Sequence, residues 1–154
     1  ERYHLVKSTE AACLYLKDAK EKFGSWTLAA ASYNGGMNGV QRQLESQGVS
    51  SYYDVLLNEE TSRYVFRILA LKEIMSHSAE YGFRLSKEGL YNDVSVKLIE
   101  VDSSVTDFAL FAKSQGINYK ILKLHNPWLR DKKLDNPKNK KYVIEIPTSG
   151  YAKK

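Results

Sequence analysis

The sequence predicts an α+β chain, with a mainly helical first part followed by a small strand-helix-helix-strand module. Three observations predict it. Apolar residues recur at three- and four-residue spacing through residues 8–76. The texture switches to short alternating runs rich in Val and Ile at 94–101 and again at 142–147. Residues 86–93 carry neither period and read as a linker. At 154 residues, with 43% hydrophobic and 27% charged residues, the chain has the composition of one ordinary folded domain or two small ones, not of a disordered segment.

The elements follow in order. Ser8 is placed to cap a helix running to Phe23, with Glu10 in its first turn and Ala11, Leu14, Tyr15 and Ala19 as its apolar stripe. Gly24 is its stop. Cys13 lies in an apolar run and is expected to be buried and inert. As the single cysteine it excludes an intramolecular disulfide and a cysteine-rich zinc site. Ser25 caps a second helix from Trp26 to Tyr33, whose alanines 29–31 permit close packing, and Asn34-Gly35-Gly36 breaks it. A short helix is predicted over 38–47. Asn58 caps the longest, 59–76, where Val65, Ile68, Leu69, Lys72 and Met75 keep the helical spacing; Val65, Leu69 and the stem of Lys72 are expected on one buried side. Tyr81-Gly82-Phe83 ends the helical part. Beyond the linker come a strand at 94–101 and a helix at 104–115, with Phe108, Phe111 and Ala112 inward and Gly116 as its stop. A helix at 118–125, a Pro- and Lys-rich loop and a strand at 142–147 follow, and the two strands are predicted to pair.

Charge is unevenly placed. The net charge is +5, and all of it falls in residues 93–154, which hold 12 Lys/Arg against 7 Asp/Glu. Arg130, Lys132, Lys133, Lys138, Lys140 and Lys141 supply much of it, and a basic stretch of this kind favours an anionic partner or is a solvated loop. No apolar run approaches the roughly 20 residues that span a bilayer. His4, His77 and His125 are too far apart for a metal motif, so no metal and no cofactor are expected. There is no phosphate loop, dinucleotide fingerprint or Gly-x-Ser-x-Gly. A helix-turn-helix at 104–126 fits Ala112-x-x-x-Gly116 and the local charge, but the flanking strands argue against it, and no nucleic acid is expected.

The segment that stands out is Ala29 to Val40. A helix ends in Tyr33-Asn34 and the chain turns through glycines. An aromatic ring beside an amide offers what sugar recognition needs, a face to stack on and groups to hydrogen-bond; a purely structural helix cap is the alternative. Ser8-Thr9-Glu10-Ala11-Ala12, Tyr15-Leu16, Phe23-Gly24 and Trp26-x-Leu28-Ala29 precede it, and Glu60-Thr61-Ser62-Arg63-Tyr64-Val65-Phe66-Arg67-Ile68-Leu69 and Ala79-Glu80-Tyr81-Gly82-Phe83 follow. Together these resemble the soluble-lytic-transglycosylase domain of goose-lysozyme-like enzymes, of the membrane-bound lytic murein transglycosylase type D, over residues 1 to about 83. The family's Ala-Tyr-Asn-Ala-Gly-x-Gly-x-Val stands here as Ser32 to Val40, with Asn38 in place of the second glycine of the turn, where its tolerance of positive φ is expected to preserve the backbone. In the second part, Phe111-Ala112-x-x-x-x-Gly116-Ile117, Leu122-x-x-x-Asn126-Pro127 and Val143-x-Ile-x-Ile-Pro147 resemble a divergent LysM module. Val105-Thr106-Asp107 stands where that family has Gly-Asp-Thr, so a sugar-binding module and a structural spacer both stay open.

The resemblance implies a partial, mainly α lysozyme-like domain at 1–85, the linker at 86–93, a LysM-like module at 94–148 and a basic tail at 149–154. It implies that Tyr33, Asn34 and Tyr64 line a groove for peptidoglycan glycan strands. The implied reaction cleaves the MurNAc-β-1,4-GlcNAc bond with formation of 1,6-anhydro-MurNAc. One protonated glutamate gives its proton to the glycosidic oxygen and then acts as base on the muramic C6 hydroxyl, unlike the usual pair of carboxylates. The family's Glu-Ser and Gly-x-Met-Gln motifs are not present in this chain, which opens Glu1-Arg2-Tyr3-His4 without Met. The catalytic glutamate is therefore expected upstream, no catalytic residue is assigned within the chain, and the chain alone is expected to be inactive. A noncatalytic wall-binding module is the alternative. The expected location is the bacterial envelope, periplasmic or outer-membrane associated, with any membrane association supplied by a region upstream.

Overall fold

A computed structural model of the chain describes residues 2–91 and 93–150. Glu1 and the last four residues of the basic tail, which were assigned from sequence, lie outside the described residues. The chain divides into two compact units, Thr9–Leu90 and Tyr91–Lys154, the second taking in Glu1–Ser8.

The first unit holds three α-helices and, from Thr9 on, most of a fourth. Helix α1, Leu5–Phe23, starts before the expected cap. Ser8 does not cap it: its hydroxyl donates back to the carbonyls of His4 and Leu5, at 2.9 and 3.0 Å, as a serine inside a helix does. Gly24, at φ 68°, ends α1 with its N–H on Lys20 O. Only Ala19 of α1 is buried, Tyr15 is half-buried, and Leu14 is exposed, so the packed stripe is narrower than the sequence predicts. Cys13 is exposed as well. It precedes Tyr15 by two residues, which in a helix turns it to the opposite side.

Ser25 caps α2, Trp26–Gly35, as expected, though the helix runs two residues further than Tyr33. Gly36, at φ 78°, stops it and leads directly into α3, Met37–Gln47. The positive φ falls on Gly36 alone at this turn; Asn38 lies inside α3, so the tolerance expected of it is not called on. Gln47 then holds the following loop with both ends of its amide, donating to Leu56 O at 2.9 Å and accepting from Leu56 N at 2.7 Å. Asn58 caps α4, Glu59–Ser76, accepting from Thr61 N. Leu28, Ala31, Val40, Leu44, Tyr52, Val55 and Val65 form the core. Helix α4 joins it only through its first half. Thr61 and Val65 are buried, whereas Leu69 is 50% exposed and Lys72 is exposed, against the expected single buried side. The helical period of the apolar residues outruns the surface available to cover them.

The second unit is a two-stranded antiparallel sheet covered by two short helices. Strands β1, Val96–Val101, and β2, Tyr142–Pro147, pair in the register Val96 to Pro147 through Val101 to Tyr142. Helix α5, Phe108–Ser114, begins later than expected because Asp107 caps it, accepting from Ala109 N and Leu110 N. The chain before the cap pairs instead with the loop, Val105 with Leu134. Gly116 turns the chain at φ 77° and Asn118 caps α6, Tyr119–His125. Phe108, Ala112, Leu122, Leu129, Ile144 and Ile146 lie in the core with Val101. Asn126 is buried among them and stitches α6 to β2: its amide donates to Leu122 O and Glu145 O and accepts from Glu145 N, at 3.0, 2.7 and 2.9 Å.

Candidate functional site

The end of α2 is built by three elements. Tyr33 and Asn34 occupy its last turn and are both exposed, Tyr33 at 47%. From α1, the Tyr15 hydroxyl donates to Ser32 O at 2.6 Å and accepts from Met37 N at 3.0 Å. One hydroxyl therefore joins both sides of the Gly35-Gly36 turn. The Tyr15 ring also meets the Tyr33 ring edge to face at 5.5 Å, which fixes where Tyr33 can stand. From α4, Thr61 Oγ1, on a residue 1% exposed, donates to Asn34 Oδ1 at 2.9 Å. Thr61 is held in turn by the Asn58 cap. It also presses on the turn: a Cβ on Gly35 would stand 3.0 Å from Thr61 Oγ1 and 3.1 Å from its Cγ2.

This arrangement decides what Asn34 can offer. Its oxygen is engaged, and among the described residues no partner takes its two N–H donors, which stand next to the exposed Tyr33 ring. Tyr64 lies one turn beyond Thr61 on the same side of α4 and is half-buried. Among the described residues no hydrogen bond or ring contact joins Tyr64 to Tyr33 or Asn34. The structure thus brings Tyr33 and Asn34 together and leaves Tyr64 on the adjoining helix. A cleft of about 260 Å³ adjoins Asn34's partner, between α3 and the 56–58 loop, and is lined by Gly35, Gly39, Gln43 and Thr61 among others; none of the three expected residues lines it. Tyr15 and Thr61 are the site residues that motif reading did not single out. Their signal is a hydroxyl aimed across 22 or 27 residues, which no local spacing encodes.

The supports give a measurable consequence. Tyr15→Phe keeps the ring, strands Met37 N and leaves Ser32 O with Gly36 N as its donor, and it is expected to cost about 1–2 kcal/mol. Chemical denaturation of the wild type and the variant measures it.

Comparison with known proteins follows the same division. Residues 1–55 match the Transglycosylase SLT domain, and residues 97–150 match the Soluble lytic transglycosylase C-terminal LysM-like domain. The two matches fall one in each half of the chain. The stretch that matches the SLT model holds Tyr15, Tyr33 and Asn34, and the stretch that matches the LysM-like model holds β2, Asn126 and all of β1 but Val96. Two curated relatives, each named membrane-bound lytic murein transglycosylase D, come from Escherichia coli K12 and Escherichia coli O6:H1. Each is 34% identical over 131 residues, which is 81% of this chain and 28% of the relative. The chain therefore spans under a third of the length of these relatives. Among the described residues no helix is long and apolar enough to cross a membrane.

Proposed function

We propose that the SLT segment forms one wall of the glycan groove of a peptidoglycan lytic transglycosylase, with Tyr33 and Asn34 contacting the sugar beside the scissile MurNAc-GlcNAc bond and Tyr64 extending the wall along α4. The observation that carries this reading is the fixed amide. Asn34 is anchored by its oxygen and presents two donors beside an exposed aromatic ring, at a helix end pinned from α1 and α4. A flat face plus rigid donors suits a pyranose with an N-acetyl or hydroxyl acceptor. Rigid positioning contributes orientation, not proton transfer.

The acid/base glutamate is assigned to sequence outside this chain. A general acid of this type must stay protonated in a dry cleft. Glu59 and Glu60 open α4 near the site, but they stand in solvent, each 2.7 Å from an arginine, Arg63 and Arg67. That setting is not a dry cleft. The LysM-like domain is read as a peptidoglycan-binding module, and the location as the bacterial envelope, on its periplasmic side.

The test is digestion of purified peptidoglycan, with mass spectrometry of the soluble products. The 154-residue chain alone is expected to release no 1,6-anhydro sugar while a longer protein that adds the catalytic glutamate releases it. Anhydro products from the chain alone would place the acid within it and overturn the assignment.

A further inference from the structure

The loop between α6 and β2 concentrates charge on a fixed frame. Residues 130–141 hold Arg130, Lys132, Lys133, Lys138, Lys140 and Lys141 against Asp131 and Asp135. The segment forms no helix, yet its backbone is tied down along its length. Lys123 Nζ donates to the carbonyls of Leu129 and Asp131. Phe108 N donates to Lys132 O at 2.9 Å, and Leu134 exchanges two hydrogen bonds with Val105 at 2.9 and 2.8 Å. Asn136, 4% exposed, is the clasp. Its amide donates to Asp102 O at 2.9 Å and Lys140 O at 2.7 Å and accepts from Lys140 N at 2.9 Å, while its own N–H donates to Ser104 Oγ at 2.9 Å.

Six cations on a flexible loop would spread apart by repulsion. Here the fold holds them together, so a ligand need not order the backbone that carries them. Two of them have acid partners: Lys133 meets Asp135 at 2.9 Å and Lys141 meets Glu100 at 2.8 Å. Arg130 lies over the Tyr3 ring of the same unit, 4.4 Å from its centroid. Lys132 and Lys138 are exposed and meet no acid among the described residues. The net excess of positive charge faces solvent.

We propose that this loop is a docking surface for the carboxylates of peptidoglycan peptide stems. The inference rests on peptidoglycan being the partner, as proposed above. Stem carboxylates recur along the same polymer whose sugars the α2 end is read as holding, so a row of exposed ammonium groups meets a row of anions. Each exposed pair is weak, and several on one rigid loop add by multivalency while still releasing the strand.

The test is co-sedimentation of the whole chain with purified insoluble peptidoglycan, native or with its carboxylates converted to amides. Amidation, and raising salt from about 50 to about 500 mM, are each expected to weaken binding about fivefold, the scale of several exposed ion pairs lost together. Lys132→Gln with Lys138→Gln is expected to weaken binding to native peptidoglycan about threefold and to leave binding to the amidated form unchanged. Lys17→Gln with Lys113→Gln removes the same charge elsewhere and is expected to change neither. Binding indifferent to amidation, or equally weakened by both pairs of substitutions, overturns the surface. Tighter binding to vesicles of anionic phospholipid or to duplex DNA also overturns it, by showing a surface for other polyanions. Failure to bind either form of peptidoglycan overturns the surface and the proposed function together.

Discussion

Asn34→Ala, in a transglycosylase that carries this segment with its acid/base glutamate, is expected to lower turnover about a hundredfold, the scale of a lost positioning contact. The substitution also has a structural cost, because Thr61 Oγ1 loses the acceptor it holds at 2.9 Å. That cost is about 1 kcal/mol. Thr61→Val removes the same hydrogen bond from the other side and leaves the amide in place. The two variants should therefore lose similar melting temperature and differ in turnover, Thr61→Val falling much less. If both lose activity in proportion to stability, Asn34 is a structural cap and not a sugar contact. Tyr33→Ala belongs in the same experiment. Its ring is half exposed and its neighbour Tyr15 carries the hydrogen bonds, so activity should fall with little change in melting temperature.

Asn126→Ala is expected to unfold the second unit. Two backbone groups, Glu145 O and Glu145 N, take their bonds from this one buried amide, which also donates to Leu122 O beside the backbone N–H of Asn126. Leaving such groups unpaired costs about 1–3 kcal/mol each, which suggests a total of about 2–4 kcal/mol for the two. A single core of this size supplies only about 3–5 kcal/mol of stability. The loss therefore consumes most of what holds the domain together. Amide hydrogen exchange reads it domain by domain: the protection of Val143 to Ile146 should vanish while that of Leu28 to Ala31 persists. Retained protection at β2 would show that the sheet and helices hold without the amide.

Local chemistry was legible wherever it acts within one turn. Ser25 and Asn58 cap the helices expected of them, and Gly24 and Gly116 stop the helices before them. The strand pairing followed from two alternating runs that bracket two short helices. The misreadings share a cause. Ser8 was expected to begin α1 and the next-to-last helix was expected from 104, and both starts depend on what the adjacent backbone pairs with: helix continues before Ser8, while the chain before Asp107 joins Leu134. Cys13 and the second half of α4 were judged by composition, but burial depends on what stands opposite. In the site, Tyr33 and Asn34 were legible because a helix ends there through glycines. Tyr15 and Thr61 were not, since their roles are set by folding that brings α1 and α4 to one turn.

The exposed Cys13 makes this protein chemically addressable at one point. It is the only thiol in the chain, and it stands on the side of α1 turned away from the Tyr15 hydroxyl that braces the α2 end. A thiol-reactive dye would attach once per molecule, on a rigid helix, without covering Tyr33 or Asn34. Tumbling of that dye then reports capture by an insoluble polymer directly, with the native side chains of the groove and of the basic loop left as they are.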